Sequence, residues 1–464
     1  MQSCLKGNAL FQIHHSPGNM YQNKPVIAKG VDWVMIWLYA IITVLGLICI
    51  FSVEFKQDDS FWGTIFGFNK NYSKQIFFMG ISAVIAIFIL LADSKLFTAF
   101  PNLLYIIGIL LILATFVVGK EVNGSRSWIP LGFMNLQPVE TSKIFTALAL
   151  AKYLSIPDTD LRQPRVQIIA AGISFLPMVF SILQNETGLA LVYFSFLLPM
   201  YREGLPPGYL VFGATLAVLL IITLLFPPLQ LSIALTIIAA LIIYFMKRKI
   251  RRNRSLLFVI IGSWMISVLF VGVAVPFLFT SVFQKYQADR IFSMVGRDNP
   301  FTEKSDTTTV DLKAKKAPVE NYNVKQSKIA IGSGGFAGKG FLKGTQTQGD
   351  FVPEQHTDFI FTSLGESFGF LGTTFLMLLY TAMLLRIVFI AERQRSTFSR
   401  VYAYSVAGIL FFHIAINIGM TIGIAPVIGI TLPLMSYGGS SLLTFTILIF
   451  ILIKLDSDRQ MVLR

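Results

Sequence analysis

Charge is scarce in this chain. Only 13% of its 464 residues are Asp, Glu, Lys or Arg, against about 25% in a soluble globular domain. That shortage excludes a water-soluble enzyme of two or three domains, the default for this length, and a disordered chain, whose composition is charge-rich. Cysteine is scarcer still, with Cys4 and Cys49 the only two, which excludes a disulfide scaffold. What fills the gap is apolar: 54% of the residues are hydrophobic and 42 are phenylalanine. So much apolar surface must face lipid. The few charges are also unbalanced, with a net charge of +14, and their placement carries most of the functional information.

A helical span needs about 20 mostly apolar residues. Continuous runs of that kind occur at 33–53, 76–96, 101–119, 166–183, 209–226, 229–246, 256–283, 364–391, 401–422 and 440–454. Two shorter ones, 140–155 and 188–201, bring the total to about twelve and read as tilted or partly re-entrant. A transmembrane β-barrel would alternate polar and apolar residues in strands of about ten, so the expected fold is an all-α polytopic helical membrane protein with 10–12 spans. Lys and Arg in short loops set orientation. Counted from an inside N-terminus, the inner linkers hold Lys95, Arg162, Arg165, Arg202, the run Lys247–Arg254, Arg393, Arg395 and Arg400. Both termini are therefore expected in the cytoplasm, as a tail over 1–30 and another over 456–464. The basic run suits anionic lipid; it lacks the aromatic interleaving of a nucleic-acid site. The expected layout is a transmembrane set over 31–283, an extracytoplasmic loop over 284–363, and a second transmembrane set over 364–455.

Polar residues that break the apolar trend all fall on the outer face. Arg126 and Trp128 precede the short segment, and Glu140 and Lys143 lie within it at a spacing of i, i+3, sharing a helix face. Ionisable groups at membrane depth are costly and mark function by default. The pair is either a structural ion pair or a groove for a charged headgroup. Gln184–Glu186 and Ser436–Ser440 end other spans. In the outer loop, 298–319 is polar, and 331–340 holds five glycines that suit a tight turn better than a phosphate cradle, since the spacing matches neither common fingerprint. Glu354, His356 and Asp358 then cluster at the lip of a span, with Glu366 just inside it. A divalent cation, Mg or Mn, could be held there, although one His and two carboxylates serve equally as an orienting cluster.

Five segments, taken together and in order, resemble the SEDS family (shape, elongation, division and sporulation), the RodA branch more than FtsW. They are Leu136–Lys143, Gln184–Gly188, Gln326–Gly335 running into Gly338–Gln348, Pro353–Phe361, and Leu432–Ser440. The resemblance implies a polytopic enzyme of the bacterial inner membrane, a peptidoglycan glycosyltransferase that polymerises lipid II during cell-wall elongation and shape maintenance. It implies a class B penicillin-binding protein, a transpeptidase, as partner. It also implies a loop aspartate that takes the proton from the acceptor sugar hydroxyl while undecaprenyl diphosphate leaves. Asp298 is the expected base, with Asp306 and Asp311 as alternatives. The expected substrate contacts are Arg126, Glu140, Lys143, Gln326, Ser327, Lys328, Lys339, Glu354, His356, Asp358, Glu366 and Ser436.

The chain departs from the family in several places. A longer insertion precedes Gln326 where a short Gly-x-Gly-Tyr is usual. Asn185 and Glu186 replace Pro and Asp, and Val139 replaces a Ser. The family usually has about ten spans, so the pair over 209–246 reads as an insertion that preserves parity. Two other functions compete with the polymerase: a flippase moving lipid II across the membrane, and a non-catalytic scaffold for the transpeptidase. A polymerase needs the loop carboxylate; a flippase needs a polar path through the bilayer.

Overall fold

The computed structural model describes residues 30–55, 67–122, 125–132, 135–282, 288, 291–292 and 319–459. Asp298, Asp306 and Asp311 lie outside them. Among the described residues, ten helices are long and apolar enough to cross a membrane. The first three are α1 (Trp33–Glu54), α2 (Asn71–Leu91) and α3 (Pro101–Val118). A small antiparallel sheet follows, with strands Lys120–Val122, Ser125–Pro130 and Asn135–Leu136 in sequential order. Next come α4 (Pro138–Leu154) and α5 (Pro164–Leu183). The short apolar run after α5 is broken into Thr187–Val192, a 3-10 turn at Tyr193–Phe196, and Leu197–Arg202. It is followed by α6 (Pro207–Leu225), α7 (Pro228–Arg252) and α8 (Ser255–Ser281). After the outer loop come α9 (Val319–Gly334), α10 (Ile360–Glu392), α11 (Thr397–Ile422) and α12 (Gly439–Ser457).

Among the candidate spans the two of lowest hydropathy, α11 and α12, are the most buried, and α4 is enclosed in the same way. In α4, 13 of 17 residues are buried, among them Glu140, Ser142, Lys143 and Thr146. A helix enclosed by protein rather than lipid tolerates polar side chains, because neighbouring helices satisfy them. This is why α4 is too polar to look like a span and still belongs to the bundle. In α7, by contrast, Leu231 is the one buried residue. Its apolar side chains face outward, and Trp264 of α8 donates to Thr236 at 3.1 Å. Helices α6 and α7 are the pair read from the sequence as inserted.

One end of the bundle is closed by charge pairs. Asp32 caps α1 by accepting from the Met35 amide at 3.1 Å, and it also pairs with Arg386 (2.8 Å) and Arg393 (2.9 Å). Arg393 also pairs with Asp456 at the end of α12. Nearby, Arg400 meets Glu203 at 2.7 Å and Arg202 meets Glu392 at 2.9 Å. Several arginines that the loop-charge pattern treats as free anchors are therefore bonded within the protein. Gly30 packs against Ser457, so the chain enters and leaves the described bundle at this end.

The glycine-rich segment at the opposite end is a structural turn. Helix α10 breaks at Gly369 (φ 61°), and a Cβ there would lie 2.4 Å from the Gly338 nitrogen. Only glycine permits both the positive φ and that approach. Lys339 and Gly340 donate backbone bonds to the Glu366 and Ser367 carbonyls, each at 3.0 Å, and Phe370 donates back to Gly335 at 2.9 Å. These amides are spent on the kink and cradle no phosphate.

Candidate functional site

The end opposite the charge pairs gathers four of the motif segments around one cavity of about 730 Å³. Its walls come from the sheet, the ends of α4 and α5, the 354–359 turn, the 427–431 loop and the start of α12.

The sheet contributes by alternation. Successive side chains in a strand point to opposite faces, so Ser125 and Ser127 face inward while Arg126 faces out. Both serines donate to Glu186 Oε1, at 2.8 and 2.5 Å. Arg126 is exposed and pairs across the strands with Glu121 at 3.3 Å. Glu186 follows Asn185, whose φ of 64° turns the chain sharply at the end of α5. Gln184 anchors that turn by donating to the Ile112 carbonyl at 3.0 Å.

The 354–359 turn is held by two neighbours. Asn417 of α11 donates to the Asp358 and Ile430 carbonyls at 2.9 and 2.6 Å. Ser436 donates to the Thr357 carbonyl at 2.6 Å, and the Tyr437 amide donates to the His356 carbonyl at 2.8 Å. This bonding leaves the Glu354 and Asp358 side chains at the cavity wall, while His356 and Ser436 serve to hold the turn. Tyr437 also lines the cavity. Burial, with the Glu54 charge adding to it, raises its phenol above the ordinary value, so it is a hydrogen-bond donor at neutral pH.

Four carboxylates thus line the space, Glu140, Glu186, Glu354 and Asp358, with Lys74 of α2 the one cation among the described lining residues. Glu140 is 2% exposed, and its Oε1 accepts no hydrogen bond. The nearest cation to it is Lys143 Nζ at 3.7 Å. Lys143 is fully buried behind Glu140 and bonds His413 Nε2 at 2.8 Å. An unpaired buried carboxylate oxygen is costly; the Lys143 ammonium beside Oε1 offsets that cost and leaves Glu140 as a fixed negative charge in the cavity wall. No group of three or more His, Cys, Asp or Glu among the described residues is placed to hold a metal ion.

The remaining sequence candidates fall behind the cavity. Ser327 shares hydrogen bonds with Thr362 (2.6 Å) and the Thr421 carbonyl (2.8 Å), joining α9 to α10 and α11. Gln326 and Lys328 sit on α9 away from the cavity lining, with Lys328 against Gly423. Lys339 bonds Glu366 at 2.7 Å, and Glu366 also accepts from the Gln346 and Thr347 amides at 2.9 Å. The sequence reading missed Lys74, Asn417 and His413, and treated Glu186 and Tyr437 only as parts of motifs. For His413 a signal existed: it is an ionisable residue inside an apolar run.

The family described as cell cycle protein, FtsW/RodA/SpoVE, matches residues 32–259 and 207–461. The chain is 32% identical over 383 residues to the peptidoglycan glycosyltransferase MrdB of Escherichia coli K12, covering 82% of this chain and 85% of that one. It is 30% identical over 446 residues to the peptidoglycan glycosyltransferase RodA of Treponema pallidum, covering 92% and 97%. Its fold matches a chain of a solved peptidoglycan synthase complex with a TM-score of 0.63 at 22% identity, covering 92% and 98%.

Proposed function

The chain belongs to the FtsW/RodA/SpoVE family of cell cycle proteins, and from that membership we propose that it is a peptidoglycan glycosyltransferase working in a bacterial membrane, which it crosses many times. Its substrate in this reading is lipid II, polymerised during cell-wall elongation, with a class B penicillin-binding protein crosslinking the product. The cavity faces the extracytoplasmic side, and the charge-paired end with both tails faces the cytoplasm.

One observation carries the mechanism. Ile291 and Asn323, which flank the loop segment holding Asp298, Asp306 and Asp311, both line the cavity. The base, at Asp298 or one of its alternatives, accepts the proton of the acceptor hydroxyl. That oxygen bonds to the anomeric carbon of the donor sugar, and the bond from that carbon to the diphosphate oxygen breaks. A carboxylate suits proton transfer of this kind, and the wall carboxylates accept hydrogen bonds from sugar hydroxyls and amides. Lys74 meets negative charge developing on the leaving diphosphate.

The flippase reading has less support. On α4 the polar row ends at Thr146, and Ala147–Ala151 are all buried and apolar. The test is the purified protein with labelled lipid II and the transpeptidase, comparing wild type with Asp298→Ala, Asp306→Ala and Asp311→Ala. Chains from wild type, lost in one mutant, are expected. Chains persisting in all three would overturn the base assignment. Lipid II that crosses vesicle membranes without being polymerised would favour the flippase.

A further inference from the structure

His413 lies in the middle of α11, fully buried, and neither its burial nor its apolar neighbours explain why an imidazole is there. Its two nitrogens have different partners. Nδ1 is 3.1 Å from the Thr431 carbonyl oxygen, and Nε2 is 2.8 Å from Lys143 Nζ. A carbonyl only accepts, so Nδ1 carries the proton. Two adjacent buried cations would repel strongly, so the pair holds a single positive charge: the Lys143 ammonium donates to a neutral Nε2. The Phe445 ring stands edge-on to the imidazole at 5.0 Å, and the ammonium lies 5.6 Å from the same ring. Lys143 therefore has two fixed neighbours, His413 behind it and Glu140 in front.

We propose that His413 is a positioning residue, whose Nε2 fixes the Lys143 ammonium beside Glu140 Oε1 and so holds the Glu140 carboxylate in place in the cavity wall for a donor group of the saccharide substrate. Without it the lysine loses one of its two fixed neighbours, and Glu140 loses its fixed counter-charge. The assignment rests on the glycosyltransferase reading for the identity of the ligand, but not for the coupling between the two side chains.

The experiment joins two measurements on the purified full-length protein. The first is lipid II polymerisation kinetics for His413→Leu, His413→Gln, Lys143→Met and the Leu/Met double variant. Glutamine returns an acceptor to the Lys143 side, so KM is expected to rise at least fivefold in His413→Leu and less than twofold in His413→Gln, with kcat moving less than KM in both. In the Lys143→Met background, His413→Leu should add less than a further twofold. Equal impairment by Leu and Gln, or full additivity with Lys143→Met, would overturn the assignment and make His413 a packing residue. The second measurement is the same cycle read by melting temperature in detergent, which needs no activity. The double variant is expected to melt no lower than Lys143→Met alone, and additive losses would overturn the coupling. A wild type that couples these residues but polymerises nothing would sink the functional reading and leave the pairing intact.

Discussion

Glu366, fully buried in α10, accepts a 2.7 Å hydrogen bond from Lys339 of the glycine-rich turn. With two further bonds from the Gln346 and Thr347 amides, one carboxylate ties the turn to the kinked helix. Hydrogen bonds to charged groups are worth roughly 1.5–3 kcal/mol each, and orphaned partners add to the loss. Glu366→Ala should therefore destabilise the protein by about 3 kcal/mol, read as a lower melting temperature in detergent. Lys339→Ala should cost less, because Lys339 is 25% exposed and both amide bonds survive. Equal losses from the two variants would contradict this division of roles.

Gly369 is the second fixed point of that turn. A methyl group there must accept a φ of 61° and a backbone nitrogen 2.4 Å away. Such strain costs of order 1–3 kcal/mol before any clash is relieved. Gly369→Ala should therefore melt well below wild type. Gly80→Ala, where nothing lies within 4 Å of the added carbon, should be neutral or slightly stabilising, since alanine is the better helix former. A neutral Gly369→Ala would mean that the kink is not held as described.

Glu186 is the tie between the sheet and α5. Glu186→Ala removes the shared acceptor of Ser125 and Ser127 and should release the sheet, raising its rate of cleavage in limited proteolysis. Ser125→Ala alone should have a smaller effect, because the Ser127 bond remains. Unchanged cleavage in Glu186→Ala would show that the sheet docks without it.

Asp32 gives a pH dependence at the far end. Burial opposes its ionisation, but hydrogen bonds from Arg386 and the Met35 amide, with the charges of Arg386 and Arg393, hold its carboxyl below the ordinary value. A carboxyl with a depressed folded-state pKa adds stability that is present above its unfolded value and lost as pH falls through the folded one. Asp32→Asn should therefore melt below wild type at pH 7, and the gap should close below about pH 3.8. A gap that persists into strong acid would mean that the aspartate stabilises through packing rather than charge.

Most spans were legible because apolar runs of membrane length leave little choice of structure. Helix α9 was hidden by its polar, glycine-ended sequence, whereas the segment over 187–202 already read as too short for a regular span. Within the site, motif membership marked the right segments but could not separate wall from support. Glu354 and Asp358 face the cavity, whereas Ser436, in the next motif, holds their turn through the Thr357 carbonyl. Glu366 carried the same signal as Glu140, an acid at membrane depth, yet it bonds a turn while Glu140 opens on the cavity. The difference lies in partners contributed by distant segments. For Lys143 the decisive one is His413, 270 positions along the chain, and no local pattern pairs the two.

That separation has a consequence for how the protein is made. At about 5–20 residues per second, the ribosome completes α11 tens of seconds after α4. During that interval Lys143 has only Glu140, one helical turn away, to neutralise it, and the sheltering helices α11 and α12 do not yet exist. The i, i+3 acid–base pair thus acts first as an escort, making a polar helix admissible to the bilayer before its permanent neighbours arrive. Chains truncated before α11 should still insert α4 when both residues are present, and should fail to retain it when Glu140 alone is replaced by alanine.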